Sequence, residues 1–182
     1  MDYPYTIYAA LGEEDKEGWV WIQHPKFPSF TPIEIYNPET RQSVCCESRH
    51  IDSNFLRKYN EHPRIEINNP PKALVISDWY RNALGGFDTT HHSGNDMRLE
   101  IKKLHFLGWR QVRCACHHPD AIARIGTRLG VVGVWLGIIG LTPAILEFFD
   151  VENLLKLRIV IATAVVGMVA AWLACRGIRR GV

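Results

Sequence analysis

The sequence predicts a mainly β soluble domain with short helices, followed by a C-terminal α-helical transmembrane hairpin. Three observations lead there. Residues 1–118 read as short alternating runs separated by prolines. The last third holds two long uncharged apolar runs. The charge also divides: residues 1–120 carry 14 Lys/Arg against 16 Asp/Glu, and residues 121–182 carry 7 against 3. At 182 residues the chain suits one soluble domain with an appendage. The organisation expected is a cytosolic β-rich domain over 1–118, a basic juxtamembrane linker over 119–128, and a hairpin with a short basic tail over 129–182.

The strands come first. Trp19-Val-Trp-Ile22 is aromatic and β-branched, and Ile33-Glu-Ile-Tyr36 alternates apolar with polar. Ser43–Glu47, Arg64–Asn68 and Ala73–Ile76 follow the same habit. Pro25, Pro28, Pro32, Pro38, Pro63, Pro70 and Pro71 fall between runs or at their starts, because proline cannot donate to a ladder. One helix is expected over Asp52–Tyr59. A second starts after Ser77 as N-cap, runs through Leu84 and stops at Gly85-Gly86, where it covers the open end of the sheet. Asp88–Asp96 is a polar loop. Arg98–Phe106 alternates again, and Trp109–Cys114 is expected to pair with it as a hairpin. Trp19, Trp21, Phe27, Phe30, Trp79 and Trp109 are assigned to the core.

The membrane segment is read from length and charge. Leu129–Leu146 and Ile159–Cys175 carry no charge. An 18-residue helix rises about 27 Å, close to a hydrocarbon core of about 30 Å. Thr142-Pro143 near the far end of the first run suggests a kink or stop. Arg124 and Arg128 precede the first helix and Arg176, Arg179 and Arg180 follow the second, against Lys156 and Arg158 in the turn. Positive charge favours the inside, so both termini are expected on the cytosolic face of a bacterial-type inner membrane, in a two-pass arrangement. The opening Met1-Asp2-Tyr3-Pro4-Tyr5 has neither the basic nor the apolar region of a secretory signal, which agrees. Gly126/Gly130, Gly133/Gly137 and Gly167/Ala171 are small-xxx-small pairs that let helices approach closely, either within one hairpin or between chains.

The run Asn37-Pro38-Glu39-Thr40-Arg41-Gln42-Ser43-Val44 resembles the strand–turn–strand of double-psi β-barrels, where members such as rare lipoprotein A carry Asn followed by Gly-Arg/Lys-Ser-Val. Ser77 through Leu84-Gly85 resembles that family's helix start and its Leu-Gly ending, at the same spacing. The similarity covers residues 30–87. It implies a small six-stranded barrel with interlocked crossings. It does not carry the family's lytic activity across, because the turn Gly is Arg41 here and the Asp used by enzyme members before the helix is Val75.

Five cysteines in an irregular arrangement, Cys45, Cys46, Cys114, Cys116 and Cys175, point to reduced thiols, leaving open a disulfide between the first two segments. Cys114-Ala-Cys116-His117-His118 is the densest group of metal-ligand types, but Cys-x-Cys is tighter than structural zinc spacing. It is read as a solvent-side cluster just above the membrane, where His117 and His118 meet headgroups. No metal or other cofactor is expected. His91-His92 lies in the polar loop. Ser43, Cys45 and His50 have no reason to converge as a nucleophile and base, and no phosphate loop or dinucleotide fingerprint is present. The weakly acidic front domain disfavours nucleic acid.

These readings lead to a non-catalytic, membrane-anchored binding or adaptor protein. Its partners would be the lipid bilayer and either a protein or its own hairpin. The alternative is an oligomerising, membrane-permeabilising effector of a bacterial defence or toxin system. An enzyme of the barrel superfamily is the weakest choice, because the acid is missing.

Overall fold

The computed structural model describes residues 3–61, 66–87, 95–104, 109–148 and 153–175. Six strands close into a barrel: β1 (Tyr3–Ala9), β2 (Trp19–Ile22), β3 (Thr31–Asn37), β4 (Gln42–His50), β5 (Ala73–Ile76) and β6 (Asn95–Lys103). Around the barrel the order is β1-β5-β2-β4-β3-β6, and β6 returns to β1. β1/β5 and β2/β4 are parallel; the other four pairs are antiparallel. Closure removes both sheet edges, so a short sheet of this kind has no exposed ladder. The closed six-stranded barrel implied by the resemblance is therefore present.

Alternation explains which side chains fill the barrel. Tyr5 and Ile7, Val20 and Ile22, Ile33 and Ile35, Val44 and Cys46, and Leu74 and Ile76 are two-residue steps on five strands, and all point into one cluster with Leu99. Each such buried side chain contributes about 1.5–3 kcal/mol. α2 (Asp78–Ala83) closes one end, adding Tyr80 and Leu84 to the same cluster. It starts where the sequence places it: the Ser77 hydroxyl accepts from Tyr80 N–H. α1 (Ser53–Asn60) starts with Asp52 accepting from Phe55 N–H at 2.7 Å. It lies on the outer wall, where Phe55 stacks on Trp21 at 4.1 Å between ring centroids and Phe55 and Tyr59 cover Ala73 and Val75. β5 is thus buried on both faces, which accounts for its unbroken apolar sequence.

Three further helices follow: α3 (Trp109–Cys116), α4 (Ala121–Phe148) and α5 (Asn153–Cys175). α3 corrects the expected hairpin strand. Val112 and Cys116 share a helical face at i, i+4, and that spacing overrides the short alternation of Trp109–Cys114. Arg64–Asn68 also differs: its described part, Glu66–Asn68, is not a strand, and Ile67 N–H donates to the Asn60 side chain at 3.1 Å instead. β1 adds a strand to those expected, with Tyr5 and Ile7 alternating into the barrel. Phe30, assigned to the core, is 65% exposed and takes φ +65°. Of the loop expected at Asp88–Asp96, residues 88–94, with His91 and His92, lie outside the described residues, and Asn95 and Asp96 begin β6.

α4 runs unbroken through Pro143, with Thr142 Oγ1 donating to the Ile138 carbonyl at 2.7 Å near the point where proline interrupts the ladder. The helix does not stop there. Its stretch Ala121–Ala144 is long and apolar enough to cross a membrane; the apolar stretch of α5 within the described residues, Arg158–Gly167, is shorter. α4 and α5 pack side by side, with the Trp135 ring laid on Gly167, so closely that a Cβ there would fall 2.5 Å from it.

Candidate functional site

The features that bear on function gather where α3 crosses the outer wall of β3 and β4. On β4 the inward residues are Val44, Cys46 and Ser48, so Cys45, Glu47 and Arg49 form the outward row. β2 runs beside β4 only from Glu47 to His50. Cys45 lies past that ladder, and its N–H needs another acceptor. His117 Nδ1, just beyond the end of α3, accepts it at 3.2 Å. One turn earlier, Arg113 Nη2 meets Glu34 Oε1 of β3 at 2.7 Å, and Cys114 Sγ donates to the Cys46 carbonyl at 3.5 Å. Three contacts from one helix thus clasp two strands.

This arrangement decides the chemistry of the Cys/His group. Cys45, Cys46 and Cys114 are buried free thiols, and Cys116 and His117 are fully buried. The group is therefore part of the packed interior and not the solvent-side cluster expected. Burial pushes the Cys45 and Cys46 thiols up, and pushes Cys114 up to about 12. The protonated thiol is a poor metal ligand and a poor nucleophile. Burial first, then the guanidiniums of Arg113 and Arg128, pulls His117 down to about 4. The ring is neutral at pH 7, and because Nδ1 accepts from Cys45, its proton sits on Nε2. That Nε2 is buried and has no partner among the described residues. His118 points elsewhere. Its Nδ1 accepts from Asp120 N–H at 3.1 Å, and its ring edge presses on Gly18, where a Cβ would come 2.5 Å from the ring. So the fold brings Cys114, Cys116 and His117 to Cys45 and Cys46, and leaves His118 out. Among the described residues, no three His, Cys, Asp or Glu side chains are placed to hold one metal ion.

Beside α3 a cleft of about 220 Å³ opens, lined by Gly18 and Trp19 at the start of β2, Pro32 of β3, Glu47 of β4, Gln111 of α3 and His118. Trp19 and Glu47 are cross-strand partners. Beside them the Arg49 guanidinium lies between two rings, 4.5 Å from Trp19 and 3.9 Å from Phe30. Trp19, expected in the core, borders this cleft half-buried, and Glu47 and Gln111 join it only through the β2/β4 register and the helical path of α3.

Of the residues placed at the membrane interface, Arg124 lies in the first turn of α4. Its Nη1 donates to the His118 carbonyl at 2.7 Å and the Pro119 carbonyl at 3.2 Å, while its guanidinium lies 5.0 Å above the Trp79 ring of α2. Residues 121–128 are helical and continuous with α4. Arg128 is half-buried. Arg176, Arg179 and Arg180, and the side chain of Ala171, lie outside the described residues. A Cβ at Gly126, Gly130, Gly133 or Gly137 would meet nothing within 4 Å among the described residues, whereas Gly167 is a close-approach point between α4 and α5.

The residues of the resemblance meet at the other end of α2. Asn37 Nδ2 and Thr40 Oγ1 both donate to the Leu84 carbonyl, at 2.9 and 2.7 Å. Arg41 occupies the turn with φ +59°, the left-handed conformation that a glycine adopts most freely. Val75 is fully buried beneath α1.

No protein-family model matches the chain, and no curated protein does. Among solved structures it is similar to the computationally designed protein msDPBB_sym2, at 11% identity and a TM-score of 0.39, over 57% of this chain and 100% of that one. It is likewise similar to the rationally designed mkDPBB_sym1, at 14% identity and a TM-score of 0.38, with the same coverage.

Proposed function

We propose that this chain is a non-catalytic, membrane-anchored binding protein. Its small double-psi-like barrel stands on the cytosolic face of a bacterial-type inner membrane, and α4 and α5 form a two-pass hairpin with both termini inside. The observation that carries this reading is the surface of α4. Leu129, Val134 and Leu141 are each more than 60% exposed, and Ile122, Leu136 and Ile138 extend the same apolar surface. Leaving a side chain of this size in water forgoes about 1.5–3 kcal/mol, and a continuous apolar surface of this kind is stable against lipid. The 24 residues of Ala121–Ala144 rise about 36 Å, enough for a core of about 30 Å with some tilt. Binding rather than catalysis is supported by the protonated thiols, the neutral buried His117 and the apolar residue at Val75. The test is fractionation: the full chain should stay with membranes through a carbonate wash. A reporter fused after Val182 should report cytosol, and one inserted after Asp150 should report the opposite side. Release of the intact chain into the soluble fraction would sink the reading.

One observation favours a second reading, that of an oligomerising membrane effector. The contact between α4 and α5 uses Gly167 and Trp135, and no described residue covers the glycines at 126, 130, 133 and 137, a face that suits another hairpin. Gly133→Leu should then lower the oligomeric state in mild detergent and abolish membrane permeabilisation. If the wild-type chain is monomeric and leaves membrane potential intact, anchoring alone remains.

A further inference from the structure

We infer that Arg128, at the root of α4, binds the phosphate of an anionic phospholipid. This rests on the reading of α4 and α5 as a membrane hairpin, and it names the lipid which that hairpin selects. The arginines of the root differ in what already holds them. Arg110 and Arg113 stand on α3, and Arg124 and Arg128 stand in the first eight residues of α4. Arg113 is paired with Glu34 at 2.7 Å. Arg124 donates to the carbonyls of His118 and Pro119. Arg110 and Arg128 have no such engagement. Each has a buried Nε, and neither side chain meets a hydrogen-bond acceptor or a carboxylate among the described residues. A guanidinium holds its charge at any working pH and carries five N–H donors in a rigid fork. Half-buried, as Arg128 is, it needs an anion more than a neutral donor needs an acceptor.

The described groups around Arg128 do not supply that anion. Its charge and that of Arg113 both bear on His117, a buried neutral ring. Asp120, the nearest acid in sequence, lies eight positions earlier; its carboxylate accepts from Ile122 N–H at 2.9 Å and forms no ion pair among the described residues. Position then selects the ligand. Arg128 is the last charge before the run Leu129–Leu146, so on a membrane-crossing α4 it stands at headgroup level. The anion at that level is a phosphodiester, and its paired oxygens match the guanidinium fork. In phosphatidylcholine the lipid's own ammonium offsets that phosphate; in phosphatidylglycerol nothing does. α3 packs against both α4 and α5, so Arg110 adds a second uncompensated charge to the same root. The turn between α4 and α5 differs: there Lys156 and Arg158 stand among Glu147, Asp150 and Glu152, with no positive excess. Basic sites at the cytoplasmic ends of membrane helices take anionic headgroups for this reason.

The probes are phosphatidylglycerol and phosphatidylcholine with identical acyl chains. Each is titrated into the delipidated full chain in mild detergent, and bound lipid is counted by native mass spectrometry. Phosphatidylglycerol should bind about fivefold tighter or more, the gain expected of one arginine at an anionic surface. Arg128→Gln should cut that preference about threefold or more, and Arg128→Lys, which keeps the charge and loses the fork, should retain part of it. Arg158→Gln, on the exposed start of α5, should leave it unchanged. Glycerol phosphate tests for a free anion and should not displace the lipid at matched concentration. Equal binding of the two lipids by the wild-type chain overturns the assignment, whether or not any variant folds. So does a preference unmoved in an Arg128→Gln chain of unchanged near-UV circular dichroism, an equal loss in Arg158→Gln, or displacement by glycerol phosphate. Absence of the preference in a chain that resists carbonate removes this inference alone, while a chain that leaves the membrane in carbonate removes the reading beneath it.

Discussion

Gly85→Ala should cost the barrel far more than Gly86→Ala one residue later. Gly85 has φ +126° and a built Cβ would fall 2.4 Å from Thr40 Cγ2; Gly86 has φ +75° and nothing within 4 Å. Both substitutions pay for a positive φ, about 1–2 kcal/mol, and both regain about 0.4–1 kcal/mol by stiffening the unfolded chain. Only Gly85→Ala adds an overlap, of about 1–3 kcal/mol, because Thr40 is held by its bond to the Leu84 carbonyl and cannot swing away freely. The net expectation is about 2–4 kcal/mol for Gly85→Ala and about 1 kcal/mol or less for Gly86→Ala. Thr40→Ser removes the offending methyl and keeps the hydroxyl. The double variant Thr40→Ser/Gly85→Ala should therefore recover about 1 kcal/mol or more relative to additivity. Urea unfolding of the full chain in detergent, read by tryptophan fluorescence, measures all four. Equal destabilisation by the two glycine substitutions, with additive behaviour in the double variant, would show that the contact between the β3–β4 turn and the end of α2 is not what fixes this joint.

Three further expectations follow from the clasp and the hairpin. His117 is pulled down to about 4 from an ordinary value near 6.5, so the unfolded chain binds the extra proton first. Stability should be level above pH 6.5 and fall by up to about 3 kcal/mol as pH drops towards 4; His117→Asn, which keeps an acceptor for Cys45 N–H and does not titrate, should flatten that slope in pH-dependent urea melts. In a Cys175→Ser background, Cys45, Cys46, Cys114 and Cys116 should resist an aromatic disulfide reagent at pH 8 and react together in urea, since their burial leaves almost no accessible thiolate; rapid native labelling of Cys114 would contradict its placement under α3. Gly167→Ala should lower the melting temperature in detergent by forcing Trp135 off the α5 surface, while Gly133→Ala, facing open space, should leave it unchanged or raised.

The parts legible in the sequence were those set by local rules. β2 and β5 announced themselves by short apolar runs, β3, β4 and β6 by alternation, and both α1 and α2 by a capping side chain whose bond the structure contains. Trp109–Cys114 misled because six residues fit either period; Val112 and Cys116, four apart, held the helical signal, and packing over β3 and β4 selected it. Phe30 misled because its hydrophobicity says core while its backbone, in a left-handed turn beside Arg49, turns it outward. The cleft could not be read at all. Glu47 meets Trp19 through a parallel register that crosses between two strands 28 positions apart, and no local pattern encodes such a pairing. The cysteines were legible only in part: their spacing says nothing of an interior position, which comes from α3 and His117 packing over Cys45.

The root of α4 has a mechanical consequence. Arg124 is bound to the carbonyls that join α3 to α4 and lies over a ring of the lid helix α2, and α3 is itself pinned to β3 and β4 through Arg113 and Cys114. A tether of that kind transmits torque. Any tilt or twist of α4 in its surroundings must turn the whole barrel with it, so the cleft faces a fixed bearing instead of sweeping a cone.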